Sequence, residues 1–149
     1  MSNLKLVDSN DPVLRQVAEP VLENELEEIK KIASEMWQIM LQYKGIGLAA
    51  PQVGISKRFF IHGNEKKMEI VINPEIVHKS EETSTLTEGC LSFPGLAVNV
   101  ERPESLTIKY YDSDWFEKTQ TTGGLASRVF QHEIDHLDGI CIDQKGILI

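Results

Sequence analysis

From Asn24 to Tyr43 apolar residues recur at helical steps, at Leu26, Ile29, Ile32, Ala33, Met36, Trp37, Met40 and Leu41. At 3.6 residues per turn these positions share one face, so the spacing predicts a long amphipathic helix with a buried stripe. Glu25, Glu27 and Glu28 sit where the helix dipole favours negative charge, and Gly45 lies just past the end. Upstream, Asp11-Pro12-Val13-Leu14-Arg15-Gln16-Val17-Ala18 predicts a short helix with proline in its first turn, stopped before Pro20. From Arg58 to Tyr111 the period changes. Short extended runs, Arg58–Ile61, Glu69–Ile72, Glu75–Val77 and Leu106–Tyr111, are punctuated by Gly63-Asn64, Asn73-Pro74 and Arg102-Pro103. Trp115 to Gln120 reads as a hairpin partner for the last run. After the turn-like Thr121-Thr122-Gly123-Gly124, helical spacing returns at Leu125, Val129, His132 and His136, and Gly139 is placed to cap the C-terminus. Ile140 to Ile149 leave room for a short strand or two. The pattern predicts an α+β fold: antiparallel β-sheets packed around a C-terminal helix, with a short and a long helix on the N-terminal side.

Composition narrows the class. The 149 residues make one domain's worth with no repeat and no low-complexity linker, so a single domain over 1–149 is expected. A formal net charge of −8 and the lack of any basic block argue against a nucleic-acid surface, because phosphate neutralisation needs clustered Lys and Arg. There is no secretory apolar core at the N-terminus and no membrane-length apolar run, which makes a cytoplasmic protein the expectation. Cys90 and Cys141 could pair, but in a reducing compartment such cysteines more often act as ligands or nucleophiles.

The chemistry concentrates in His132-Glu133-x-x-His136. Positions four apart lie on one helix face, so both imidazoles can reach one divalent metal while Glu133 stands ready to move protons on nearby water. A catalytic metal that keeps one open position wants a third protein ligand. Cys90, in Glu88-Gly89-Cys90-Leu91-Ser92-Phe93-Pro94-Gly95, is a strong candidate because the glycines and the Pro-Gly turn can bend the backbone to aim its sulfur. The alternative for Cys90 is a small buried hydrophobe. A third stretch, Gly45-Ile46-Gly47-Leu48-Ala49-Ala50-Pro51-Gln52, lacks the surroundings of a phosphate loop. It suits close backbone approach to a ligand or a packed helix, with Gln52 offering an amide donor.

Taken together these stretches resemble the peptide deformylases, whose motifs Gly-φ-Gly-φ-Ala-Ala-x-Gln, Glu-Gly-Cys-φ-Ser and Gln-His-Glu-φ-Asp-His-φ-x-Gly match at Gly45 to Gln52, Glu88 to Ser92 and Gln131 to Gly139. The resemblance extends through Pro12-Val13-Leu14-Arg15 and so covers nearly the whole chain. It implies a hydrolase that removes the formyl group from N-formylmethionine at the start of new polypeptides, releasing formate. Cys90, His132 and His136 would hold the metal and Glu133 would be general acid and base. Gln52 and the Leu91 backbone N–H would donate to the formyl oxygen. The family is natively ferrous, though Zn2+, Ni2+ or Co2+ can occupy the site; residue chemistry alone favours zinc. Methionine selectivity would come from an apolar slot at Ile46, Leu86, Leu125 and Val129, with Gly47 and Gly89 as substrate-contacting glycines beside it. A bland alternative is that these apolar residues fill the core. Glu88 and Arg102 match positions that pair in the family, either as a brace behind the Cys90 loop or as a simple surface pair.

The resemblance has departures. Many bacterial relatives continue into a basic helix that docks on the ribosome, whereas this sequence ends at Ile149, which argues against docking by that route and resembles short forms found in some viral genomes. Gly95-Leu96-Ala97-Val98-Asn99 lacks the arginine or tyrosine of many members, so contacts past the first peptide residue are expected to differ. Nascent chain N-termini are the expected partner, with no nucleic acid, no membrane and a monomeric state. Two rival readings remain at this level. A zincin-type protease would want histidine at position 142, where Ile142 stands beside Cys141, and a silent peptide-binding module would keep the pocket without turnover.

Overall fold

The run Phe59-Phe60-Ile61 explains the layering of the molecule. Successive side chains of a strand point to opposite faces. All three residues are fully buried, so the strand carrying them must be covered on both sides. In the computed structural model, which describes residues 4–145 and the backbone of residues 147–148, that strand is β2 (Phe59–Gly63). It belongs to an antiparallel sheet ordered β1-β2-β3-β6-β7, with β1 at Gly47–Ala49, β3 at Met68–Lys79, β6 at Ser105–Tyr111 and β7 at Glu117–Gly123. Phe59, Ile61, Ile70 and Ile72 cluster with Ile29, Ala33, Met36 and Met40 of the long helix α1 (Leu26–Gln42). Phe60, Val71, Leu106 and Ile108 cluster with Phe130, Ile134 and Leu137 of the second helix α2 (Gly124–Leu137). Each such side chain contributes roughly 1.5–3 kcal/mol on burial, which pins α2 against the sheet along one face and leaves its other face for chemistry. A second sheet, β4 (Thr83–Glu88), β5 (Val98–Pro103) and β8 (Ile147–Leu148) in the order β4-β5-β8, carries Glu88 and Arg102.

The α+β architecture matches the sequence expectation, and several details differ. The short N-terminal helix is a single 3-10 turn, Pro12–Arg15, capped by the Asp11 carboxylate on the Val13 N–H. Beyond it the backbone is extended because it is recruited elsewhere: the Ala18 N–H donates to the Leu137 carbonyl at the end of α2. Asn73-Pro74 does not separate two strands but forms an irregularity within β3. Asn73 adopts φ 51°, the ladder shifts register between Ile72 and Glu75, and the Asn73 amide clamps both backbone groups of Val21. Arg102-Pro103 does punctuate the strands as expected, standing at the end of β5 before β6 begins at Ser105. Thr121 to Gly123 complete β7, and the turn shrinks to the junction with Gly124, at φ 60°. The hairpin of β6 and β7 is present as expected, pairing Tyr111 with Glu117 through Ser105 with Gly123.

Gly139 does cap α2, at φ 75°. It does more than cap, because a Cβ there would lie 2.8 Å from the Arg15 carbonyl carbon and oxygen. Gly139→Ala is therefore expected to lose about 1–2 kcal/mol from the left-handed backbone alone, and more from displacing Arg15. Urea unfolding should show a lowered midpoint; an unchanged midpoint would mean this approach is dispensable.

Candidate metal centre

α2 presents His132 and His136 from consecutive turns, with ring centroids 5.1 Å apart. Cys90 comes from the bend after β4, where the Phe93 N–H donates to the Cys90 carbonyl and the Leu96 N–H to the Phe93 carbonyl. That bend sets the Cys90 sulfur 3.3 Å from His136 Nε2. The ligand atoms of Cys90, His132 and His136 all lie within 4.8 Å of one another. Two imidazoles and a thiolate so spaced fit a borderline divalent ion with metal–donor bonds of about 2.0–2.3 Å. Burial pulls His136 down to about 3, which keeps its imidazole neutral as a ligand must be. For His132 burial also pulls downward, but in the metal-free site the bonds to Cys90 and Glu88 prevail and raise it to about 10, so an ion binding there has to displace a proton from this ring.

Behind the histidines stands a buried network. Glu88 Oε1 meets His132 Nδ1 at 3.0 Å, which turns Nε2 toward Cys90 and His136. The same carboxylate accepts Arg102 Nε at 2.6 Å and Nη2 at 2.9 Å, and Arg102 Nη1 reaches Asp135 at 2.8 Å. Arg128 adds a bond to Glu88 Oε2 and ties on to the Val100 and Ser84 carbonyls. Although burial pushes the Glu88 carboxyl up, the bonds from His132, Arg102 and Arg128 hold it well below the usual carboxylate range. The Glu88–Arg102 pair is thus an interior brace, not a surface pair. Arg128 was missed from sequence, although its place one turn before His132 on the same face was a usable signal.

Glu133 is buried, and desolvation raises its carboxyl to about 7. Its Oε1 has no hydrogen-bond partner among the described residues. Gly47 explains how it fits: a Cβ there would sit 2.7 Å from Glu133 Oε2 and 3.1 Å from Val129. Gln52 accepts the Ala49 N–H at 2.9 Å and donates to Ser92 Oγ at 3.0 Å, with Nε2 3.5 Å from the Cys90 sulfur. Its carboxamide is therefore held by both neighbouring segments.

These groups open on a cavity of about 510 Å³. Ile46, Gly47, Leu86, Gly89, Leu125 and Val129 all line it, together with Gln52, Leu91 and Glu133. Ile46, Leu86 and Leu125 are half or more exposed and form its rim, so they do not fill the core. Phe93 and Leu96 complete the apolar wall without having been singled out. Cys141 is a free, buried thiol that burial pushes up to about 11, and it lies on the far side of His136 at Nδ1, so it is not the sulfur among the three clustered donors.

Paired imidazoles on a helix, a thiol, a desolvated carboxyl and an apolar cavity are the parts of a metal-dependent hydrolase. The family model for polypeptide deformylase matches residues 3–145. A peptide deformylase of Thermotoga maritima is 46% identical over 132 residues, spanning 89% of this chain and 80% of its own. The crystal structure of peptide deformylase from Thermotoga maritima superposes with TM-score 0.92 at 42% identity, covering 97% of this chain and 98% of that one. The Met-Ala-Ser bound peptide deformylase of Acinetobacter baumannii gives TM-score 0.90 at 34% identity, over 95% and 97%. The chain belongs to the polypeptide deformylase family. It is an enzyme that removes the formyl group from N-formylmethionine at the start of nascent polypeptides. No helix among the described residues is long and apolar enough to cross a membrane.

Removing one partner of the buried brace leaves an uncompensated charge. Arg102→Leu is expected to destabilise the protein by about 3–5 kcal/mol, read by urea unfolding, because Glu88 and Asp135 lose their shared cation.

Proposed function

We propose that Cys90, His132 and His136 together hold one divalent ion, Fe2+ in the native protein, with Zn2+, Ni2+ or Co2+ able to replace it. Bound there, the ion would supply the Lewis acidity that makes a water held against it more acidic. Glu133 takes the proton from the attacking water and delivers it to the amine as the formyl carbon–nitrogen bond breaks, leaving formate and a free methionine amino group. Burial raises the Glu133 carboxyl in the metal-free protein, so it holds a proton more readily than an exposed carboxylate would. As negative charge grows on the formyl oxygen, Gln52 Nε2 and the Leu91 N–H donate to it, and each such donor is typically worth about 10²–10³ in rate. The cavity wall of Leu86, Leu125, Val129 and Ile46 receives the methionine side chain, while Gly47 and Gly89 let the peptide approach closely. The Acinetobacter baumannii relative holds Met-Ala-Ser, the peptide left when formyl-Met-Ala-Ser loses its formyl group, which supports this reading. The protein acts as a cytoplasmic monomer on chain N-termini, with no direct nucleic-acid contact.

The observation that carries the proposal is the meeting of three ligand atoms within 4.8 Å of one another, with a buried Glu133 on the same helix whose Oε1 has no partner among the described residues. With iron protected from oxygen, the protein is expected to release formate from formyl-Met-Ala-Ser. Glu133→Ala should retain metal and lose about 10²–10⁴ in turnover; a variant that keeps its rate removes Glu133 from this role. Val129→Phe should shift the preference for formyl-Met over formyl-Ala peptides by about 10-fold or more. An unchanged ratio in paired kcat/KM measurements would take Val129 out of the slot.

A further inference from the structure

His136 is almost wholly buried, and its Nε2 faces the Cys90 sulfur. For Nε2 to offer a lone pair there, Nδ1 must carry the ring proton, and a buried N–H needs an acceptor. His132 has the Glu88 carboxylate for this purpose. Among the described residues, the recorded hydrogen-bond partner of His136 Nδ1 is the Cys141 sulfur, at 4.0 Å.

That sulfur is held by its surroundings. It stands 3.5 Å from the Leu14 carbonyl, which can accept the thiol hydrogen and so leave sulfur lone pairs for Nδ1–H. The Cys141 N–H donates to Gln144 Oε1 at 3.0 Å, and the same oxygen accepts Arg15 Nη1 at 2.9 Å. Arg15 in turn grips both Asp143 oxygens, at 2.9 and 2.8 Å. A chain of contacts therefore runs from the Leu14 carbonyl through the Cys141 thiol to the back of His136, with the Arg15–Asp143 pair fixing the loop that bears the thiol.

We propose that Cys141 is a positioning residue for the metal centre: its sulfur accepts the His136 Nδ1–H and so holds that imidazole in the tautomer and orientation that aim Nε2 at the metal. The inference rests on the reading of Cys90, His132 and His136 as the ligand set. Partners of this kind orient a metal-bound imidazole, and their loss typically weakens metal binding by about 10–100-fold.

The test is Co2+ titration of the metal-free protein, following affinity by competition with a chelator and ligand geometry by the visible absorption bands. Cys141→Val keeps an apolar side chain of similar size and removes the acceptor. It is expected to bind Co2+ about tenfold more weakly, with shifted bands. A role in packing alone would lower the unfolding temperature and leave affinity per folded molecule and band positions unchanged, and that outcome overturns the proposal. Should the valine variant fail to fold, Cys141→Ser decides by the same two readouts, its shorter hydroxyl giving a smaller loss of affinity in the same direction. Failure of the underlying reading is separable: it would show as Co2+ binding by the unaltered protein that survives both Cys90→Ala and His136→Ala.

Discussion

The Glu88 carboxylate receives two guanidinium groups and an imidazole in the interior, and the placement of the site depends on that convergence. Glu88 sits at the end of β4, immediately before the bend that carries Cys90. Arg102 sits on β5, while Arg128 and His132 are on α2. One anion therefore joins the smaller sheet to the helix and turns His132 toward Cys90. A buried charge without partners is prohibitively costly, so the carboxylate can exist there only if the cations are also in place, and this makes the geometry close to all-or-none. Arg102 extends the network to Asp135, between the two histidines in sequence.

A second constraint works through exclusion. Glu133 lies on the same helix as the two histidines, yet its Oε1 has no hydrogen-bond partner among the described residues, and desolvation is the largest influence raising its proton affinity in the metal-free protein. Two carboxyls of α2 thus meet different surroundings: Asp135 is paired with Arg102, whereas Glu133 lies against Gly47. Burial of a carboxyl in this way raises its pKa toward neutrality, the range in which it can both accept and donate. The clasp of Arg15 with Asp143 and Gln144 fixes the loop that carries Cys141, whose sulfur lies 4.0 Å from His136 Nδ1.

Much of this was legible beforehand. The period of α1, the helical spacing of the two histidines and the Gly139 cap were read from local pattern, and the three motif stretches named the residues that now share one cavity. What escaped notice was of two kinds. β4 is rich in Thr, Ser and Glu and exposed along most of its length, so it carries no hydrophobic alternation; β5 alternates, but its Arg-Pro ending reads as a break. Arg128 shares a helix face with His132, but its partner Glu88 lies far away in sequence, as Gln52 lies far from Ser92, so local spacing could suggest the residue and not the pairing.

Sequence by itself determined which groups could do chemistry and which of them a single helix would bring together, because a period of 3.6 residues makes positions four apart neighbours whatever surrounds them. Only the tertiary structure decided that the Cys90 sulfur joins His132 and His136 while the Cys141 sulfur stands behind them, and that Glu88 is an interior anion and not a surface one. Those outcomes depend on contacts between residues tens of positions apart, and on the removal of water from around them. Burial is a property of the assembled fold, and it sets both proton affinity and the strength of every charge interaction within the site.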